Sequence, residues 1–192
     1  MKVEGMGGCQ LSAISCQKGP SSADRASAVC DGRIKGFGPL VGPEPRILIL
    51  GTMPSPKSLA QQQYYSHPSN CFWHLVAEVL DESFPEEYEE RVSLLIRHKI
   101  ALWDVLASCK RKGSADANIG DEQANDFGDI ISCNPSLLAI CFNGKKAERK
   151  FRKHTGCRWE LEYVALPSTS SQYRKPRAQR IEQWEVIRRF VQ

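Results

Sequence analysis

The chain has 192 residues, 41% hydrophobic and 25% charged, enough for one well-packed domain and too short for two. No apolar run reaches the length of a bilayer span, and the start, MKVEGMGGCQ, has neither the basic nor the apolar region of a secretory signal. These features exclude a membrane-spanning or secreted class and predict an intracellular protein, nuclear in a eukaryote and cytoplasmic otherwise. The eight cysteines form no CxxC pair, and Cys9, Cys16 and Cys30 lack an iron–sulfur spacing. Buried reduced thiols are expected, with no metal and no cofactor. The net charge of +4 hides an asymmetry, because from Gly144 to Gln192 there are 13 Lys/Arg against 5 Asp/Glu. A basic final third suits a phosphate backbone, and a solvated helix face accounts for it equally well.

Residues 1–44 read as a flexible leader rich in Gly, Ser and Pro, with the folded domain over 45–192. Arg46–Leu50 (RILIL) is a short apolar run ended by Gly51 and predicts a buried strand. From Ser69 onward, Phe72, Leu75, Val76, Val79 and Leu80 recur at helical spacing, with Ser69 or Asn70 as the cap. A second helix is predicted over Glu86–His98 and a strand over Ile100–Val105. An acidic and polar loop follows, then a helix over Asp126–Cys133 and a strand over Leu137–Phe142. Lys145–His154 predicts a basic helix, Tyr163–Leu166 a last strand, and Pro176 opens a final amphipathic helix.

Strands alternating with helices predict a three-layer α/β fold: a mostly parallel four-stranded sheet flanked by helices. Ligands bind beyond the carboxyl ends of such strands. That rule selects the loops Gly51–Asn70, Asp104–Asp116, Asn143–Lys146 and Pro167–Arg174. The first of them, GTMPSPKS, carries neither GxxxxGK[ST] nor GxGxxG, so nucleotide cofactors lose support. Its Ser55 and Lys57 suit DNA phosphates, although a rigid turn after a strand is the simpler reading. The segment YYSHPSNCFW offers tyrosines on which a base could stack and an asparagine, Asn70, at a helix start. A helix cap is the simpler role for that asparagine.

The succession ILGTMPSPKS, YYSHPSNCFW, ALWDVLASC, CFNGKKA and LPSTS resembles the uracil-DNA glycosylase superfamily, most closely its hypoxanthine-DNA glycosylase branch. The likeness runs in order from about Arg46 to about Arg174. It implies a monofunctional, monomeric enzyme that binds DNA containing deaminated bases and hydrolyses their N-glycosidic bonds after base flipping. Hypoxanthine is the first expected substrate, with uracil and xanthine behind it. A non-catalytic nucleic-acid-binding protein on the same fold is the alternative, and a small-molecule hydrolase a weaker one.

Roles follow residue by residue from the resemblance. The superfamily usually places an Asp or Asn two residues after the glycine that ends its first strand, where this chain has Met53. The branch relies instead on the Asn of its HPxN stretch, here Asn70, which would orient the attacking water. Tyr65 matches the aromatic that stacks on the flipped base, and Asn143 the asparagine that reads the base edge. PSTSS resembles the stretch that grips phosphates, which assigns Ser168 and Ser170 to the DNA backbone together with Lys145 on the basic helix. Leu166 stands where the superfamily has a His that stabilises a departing uracil anion. That replacement predicts a preference for hypoxanthine over uracil of at least about tenfold. Asp104, Ser108, Ser114 and Asp116 match stretches of the branch without an assigned role, structural support being the expectation.

Overall fold

A computed structural model describes residues 32–111 and 119–191. Four strands form the parallel sheet, in the order β3 (Ile100–Asp104), β2 (Ile47–Gly51), β6 (Ala139–Asn143), β7 (Glu162–Leu166). Their near-continuous apolar sequences fit a sheet covered on both faces. Alternation along each strand sorts the core into two halves. Ile47, Ile49, Ile100, Leu102, Ala139, Cys141 and Leu166 face one way, against α2 (Phe72–Val79), α3 (Tyr88–Arg97) and α6 (Arg177–Trp184). Leu48, Leu50, Ala101, Ile140 and Phe142 face the other, against α4 (Gly128–Ser132) and α5 (Lys145–His154), where Phe151 lies fully buried. The chain closes on a 3₁₀ turn, Glu185–Ile187, and α7 (Arg188–Val191).

The fold departs from the sequence expectation in two places, both around the small sheet that packs on the second half of the core. The stretch taken as a loop after Asp104 contains β4 (Leu106–Arg111), which pairs antiparallel with β5 (Ile119–Ala124). β4 (LASCKR) has no period-two alternation and ends in two basic residues, so its pattern is too mixed to read as a buried strand. Ser108 on it accepts from Arg33 and donates to Gln123, a structural role; Ser114 and Asp116 lie outside the described residues.

The domain also begins before Pro45. β1 (Ile34–Lys35) pairs with β4, Leu40 exchanges two backbone hydrogen bonds with Leu102 on β3, and the Trp103 indole donates to the Phe37 carbonyl. Residues 34–40 thus strap the small sheet to the large one, although their Gly and Pro content reads as a leader. Residues 1–31 of that predicted leader lie outside the described residues. Among the described residues no helix is long and apolar enough to cross a membrane.

Candidate active site

The four parallel strands end in one row. Asp104 pairs in register with Gly51, and Asn143 with Leu166, while β6 lies beside β2. Above this row opens a cleft of about 450 Å³, in the ordinary range for a small-ligand site. Its walls come from the β2 loop, the Tyr64–Asn70 segment, the Asn143–Lys146 turn and the Ser168–Tyr173 loop. Of the predicted site residues, Ser55, Tyr65, Asn70, Asn143, Lys145, Ser168 and Ser170 all line it. Lys57 does not: it is exposed on α1 (Pro56–Gln61), outside the lining.

Each side chain is held by local chemistry. Ser55 caps α1 by accepting from the Ser58 amide at 3.1 Å, and the next residue, Pro56, fits a first helical position. Arg111 reaches from β4 to donate to the Pro54 carbonyl at 2.7 Å, bracing the cleft loop from below. Tyr65 sits at φ +52°, a left-handed conformation uncommon for a tyrosine. It is held there with its ring stacked on Phe72, centroids 4.1 Å apart and planes 21° from parallel. One ring face is thereby used, and the ring lines the cleft. The Asn70 Oδ1 accepts from the Phe72 amide at 3.0 Å, an Asx turn made from one position before Cys71, the N-cap of α2. A carbonyl oxygen has a second lone pair, so the turn leaves an acceptor for water.

Asn143 is engaged twice with Thr169: its Nδ2 donates to Thr169 Oγ1 at 2.9 Å, and its Oδ1 accepts from the Thr169 amide at 2.9 Å. The side chain expected to read a base edge is thus the tie between β6 and the Ser168–Tyr173 loop. The same loop is tied to the other wall, since the Thr169 carbonyl accepts from the Cys71 amide and Ser69 Oγ lies 3.1 Å from Ser171 Oγ. Gly144, at φ +95°, brings the turn close enough that a side chain there would meet Ser168 Cβ at 2.9 Å. Ser168 and Ser170 accept backbone amides from Ser170 and Gln172 through their oxygens, which leaves their O–H groups to donate outward. Lys145 and Lys146 are exposed at the mouth, at the positive end of α5.

Leu166 requires a correction. It is 3% exposed, belongs to the core with Trp184 and Ile187, and is absent from the cleft lining. It cannot be the residue that fails a departing base, and the account of substrate preference built on it does not hold.

Asp104 was left without a role by sequence and lies on the cleft floor, 3% exposed. Its Oδ1 occupies the space above Gly51, 2.3 Å from where a Cβ on that glycine would stand, and the Tyr65 hydroxyl lies 2.7 Å from the same point. Burial raises the neighbouring Tyr64 hydroxyl well above the usual tyrosine range, and the Asp104 charge adds to the rise. A charged residue closing the apolar run IALWD was the available signal.

Residues 39–190 match the model of the uracil DNA glycosylase superfamily. The hypoxanthine DNA glycosylase of Methanosarcina acetivorans is 38% identical over 154 residues, 80% of this chain and 96% of that protein. The hypoxanthine DNA glycosylase of Methanosarcina barkeri is 40% identical over 114 residues, 59% of this chain and 72% of that protein. The solution NMR structure of a candidate uracil DNA glycosylase from Methanosarcina acetivorans superposes with a TM-score of 0.69 at 37% identity, covering 83% of this chain and 98% of that one. This chain belongs to the uracil DNA glycosylase superfamily, within its hypoxanthine DNA glycosylase branch.

Proposed function

We propose that this protein is a monofunctional DNA glycosylase, acting as a monomer, that flips a deaminated base out of DNA and hydrolyses its N-glycosidic bond. Hypoxanthine is the first substrate, with uracil and xanthine as further candidates. The observation that carries the reading is the meeting of the Tyr65 ring, the Asn70 amide and the Lys145–Lys146 mouth in one cleft at the strand ends. Relatives at 38% and 40% identity that are named hypoxanthine DNA glycosylases support the choice of base.

The chemistry follows from the groups present. Lys145 and the hydroxyls of Ser55, Ser168 and Ser170 hold phosphates flanking the lesion, and the base enters the cleft beside Tyr65. The bond between C1′ and the base nitrogen breaks with its electron pair going to the base, so positive charge develops on the sugar. Asn70 orients the water whose oxygen then bonds to C1′. An amide is too weak a base to take the proton, which passes to solvent or to the departing base. Positioning and electrostatics therefore supply the rate.

Duplexes labelled on one strand and carrying hypoxanthine, uracil, xanthine or an ethenoadduct provide the test. Strand breaks that appear only after alkali are expected, hypoxanthine fastest; breaks without alkali would mean a lyase step. No break on any duplex would overturn the enzyme reading. Binding without breakage would favour a non-catalytic nucleic-acid-binding protein, the reading to which the apolar Met53 on the cleft wall points.

A further inference from the structure

We propose that Thr169 is a positioning residue for the reaction: it couples the loop that grips DNA phosphates to the turn that carries Asn70, so that the two walls of the cleft hold the attacking water as one unit. The inference rests on the glycosylase reading above and adds to it a residue that acts through its neighbours.

Thr169 is the most deeply buried polar side chain among the described residues that line the cleft, 1% exposed. Each of its polar groups bonds a neighbour. The amide donates to Asn143 Oδ1 and Oγ1 accepts from Asn143 Nδ2, both at 2.9 Å, which fixes the loop to the end of β6. The carbonyl accepts from the Cys71 amide at 3.1 Å and from the Cys71 thiol at 3.4 Å. Cys71 follows Asn70 directly, and the Asn70 side chain turns back onto the Phe72 amide. One residue thus joins β6 to the turn that holds Asn70. Its chain neighbours, Ser168 and Ser170, carry the hydroxyls assigned to phosphates, so a grip on DNA reaches Asn70 through Thr169.

The root of the loop is fixed from below. The Pro167 carbonyl accepts from the Trp184 indole at 2.9 Å, and the Leu166 carbonyl from the Gly144 amide at 2.9 Å. Past that root, the Thr169 carbonyl makes a buried bond to the opposite wall. A second crossing, from Ser69 to Ser171, joins two exposed hydroxyls, which water can replace. The crossing at Thr169 is therefore the stiff one.

The chemistry makes that stiffness matter. An amide that orients water without taking its proton works by position alone, so the rate depends on where it holds the oxygen relative to C1′. The bonds of the Asn70 turn are local, from the Asn70 amide to the His67 carbonyl and from the Phe72 amide to Asn70 Oδ1. They fix the shape of the turn but not its distance from the phosphate loop, which the bond between Thr169 and Cys71 sets. Valine at 169 has threonine's shape without its hydroxyl. The loop would then be held to β6 by one bond instead of two, and its carbonyl would shift Cys71 and Asn70 with it.

The test separates rate from binding. Single-turnover excision from a hypoxanthine duplex is measured over a range of enzyme concentrations, beside binding to a duplex carrying a tetrahydrofuran abasic analogue. Thr169→Val should lower the saturated rate on the order of tenfold, while the half-saturating concentration and analogue binding stay within about twofold. Thr169→Ser restores the hydroxyl and should recover most of the rate. In an Asn70→Ala background Thr169→Val should cost less than about twofold, because the group through which it acts is gone. Equal costs in both backgrounds, or a loss confined to binding, would make Thr169 a structural or phosphate-holding residue and overturn the proposal. A measurement on wild type decides the matter if the valine variant does not fold. The Asn143 side-chain amide protons should exchange with solvent at least about tenfold more slowly than those of a free primary amide. Exchange at the free rate means no lock and overturns the proposal. A wild type that excises nothing overturns the glycosylase reading instead, a separate result.

Discussion

Gly51 and Asp104 pair in register across the first two parallel strands, and the volume a side chain on Gly51 would need is filled by the Asp104 carboxylate. Gly51→Ala would place a Cβ 2.3 Å from Oδ1 and 2.7 Å from the Tyr65 hydroxyl, so both side chains must move. The variant should lose about 1–3 kcal/mol of stability and a larger share of activity, because the displaced groups are on the cleft floor. Thermal unfolding and single-turnover excision measure the two losses; an active, fully stable variant would show the contact to be slack.

Asn70 carries two roles that substitution can separate. Asn70→Ala removes the hydrogen bond to the Phe72 amide, costing about 0.5–1.5 kcal/mol, and removes the group that orients water. Excision should fall on the order of 100-fold or more, with DNA binding retained. Asn70→Ser can still accept from that amide, so it should recover stability without recovering the rate. Full recovery of the rate by the serine would reduce Asn70 to a turn residue.

The basic mouth should be visible in the salt dependence of binding. Lys145→Ala and Lys146→Ala should each weaken binding to any sequence and lower the salt slope by about one. Arg177 is equally basic in sequence but ion-paired with Glu78, and its replacement should change the slope less. Equal slopes for all three variants would make the lysines a solvated face only.

Acid stability should depend on one carboxylate remote from the cleft. Burial alone would raise the Glu122 carboxyl, but hydrogen bonds from Lys150, Lys153 and His154 outweigh it and hold the value at about 2, against 4.5 for a free glutamate. A folded value below the unfolded one means the contribution is complete above the unfolded value and is lost as pH falls toward 2. Glu122→Gln should cost about 1–2 kcal/mol near neutral pH, allowing for solvent screening, and progressively less below pH 4.5. Denaturant unfolding across that range checks it; a cost independent of pH would remove the ionic origin.

Leu166→His follows from burial rather than from leaving-group chemistry. An imidazole in the core with Trp184 and Ile187 should cost about 2–4 kcal/mol and bring no gain in uracil excision. A selective gain in uracil excision would mean that the side chain reaches the cleft after all.

The parallel sheet was readable because RILIL, IALWDV and LLAICF are compact apolar runs between helical periods. The site was readable as a set of loops, since strand ends in such a sheet converge. What the residues do within it was less accessible. Tyr65 and Asn70 were found through the segment they share, but Asn143 is tied to Thr169, 26 positions later, and no local pattern announces that pair. Leu166 and Asp104 both end strands, one turned into the core and one over a glycine. Only the strand alternation together with the packing of α2 tells which is which. The small antiparallel sheet was hidden because its strands are half polar, and its β1 strand because two residues carry no period.

The strap formed by residues 34–40 has a consequence for how the molecule behaves when shortened. It pairs with β4 on one side and, through Leu40, with β3 at the border of the parallel sheet. A chain beginning at Pro45 would leave both strands with unsatisfied backbone donors and acceptors along an open rim, the usual template for self-association. Cleavage within this segment would therefore turn a DNA-facing protein into one that recruits its own copies, although every residue of the cleft would still be present.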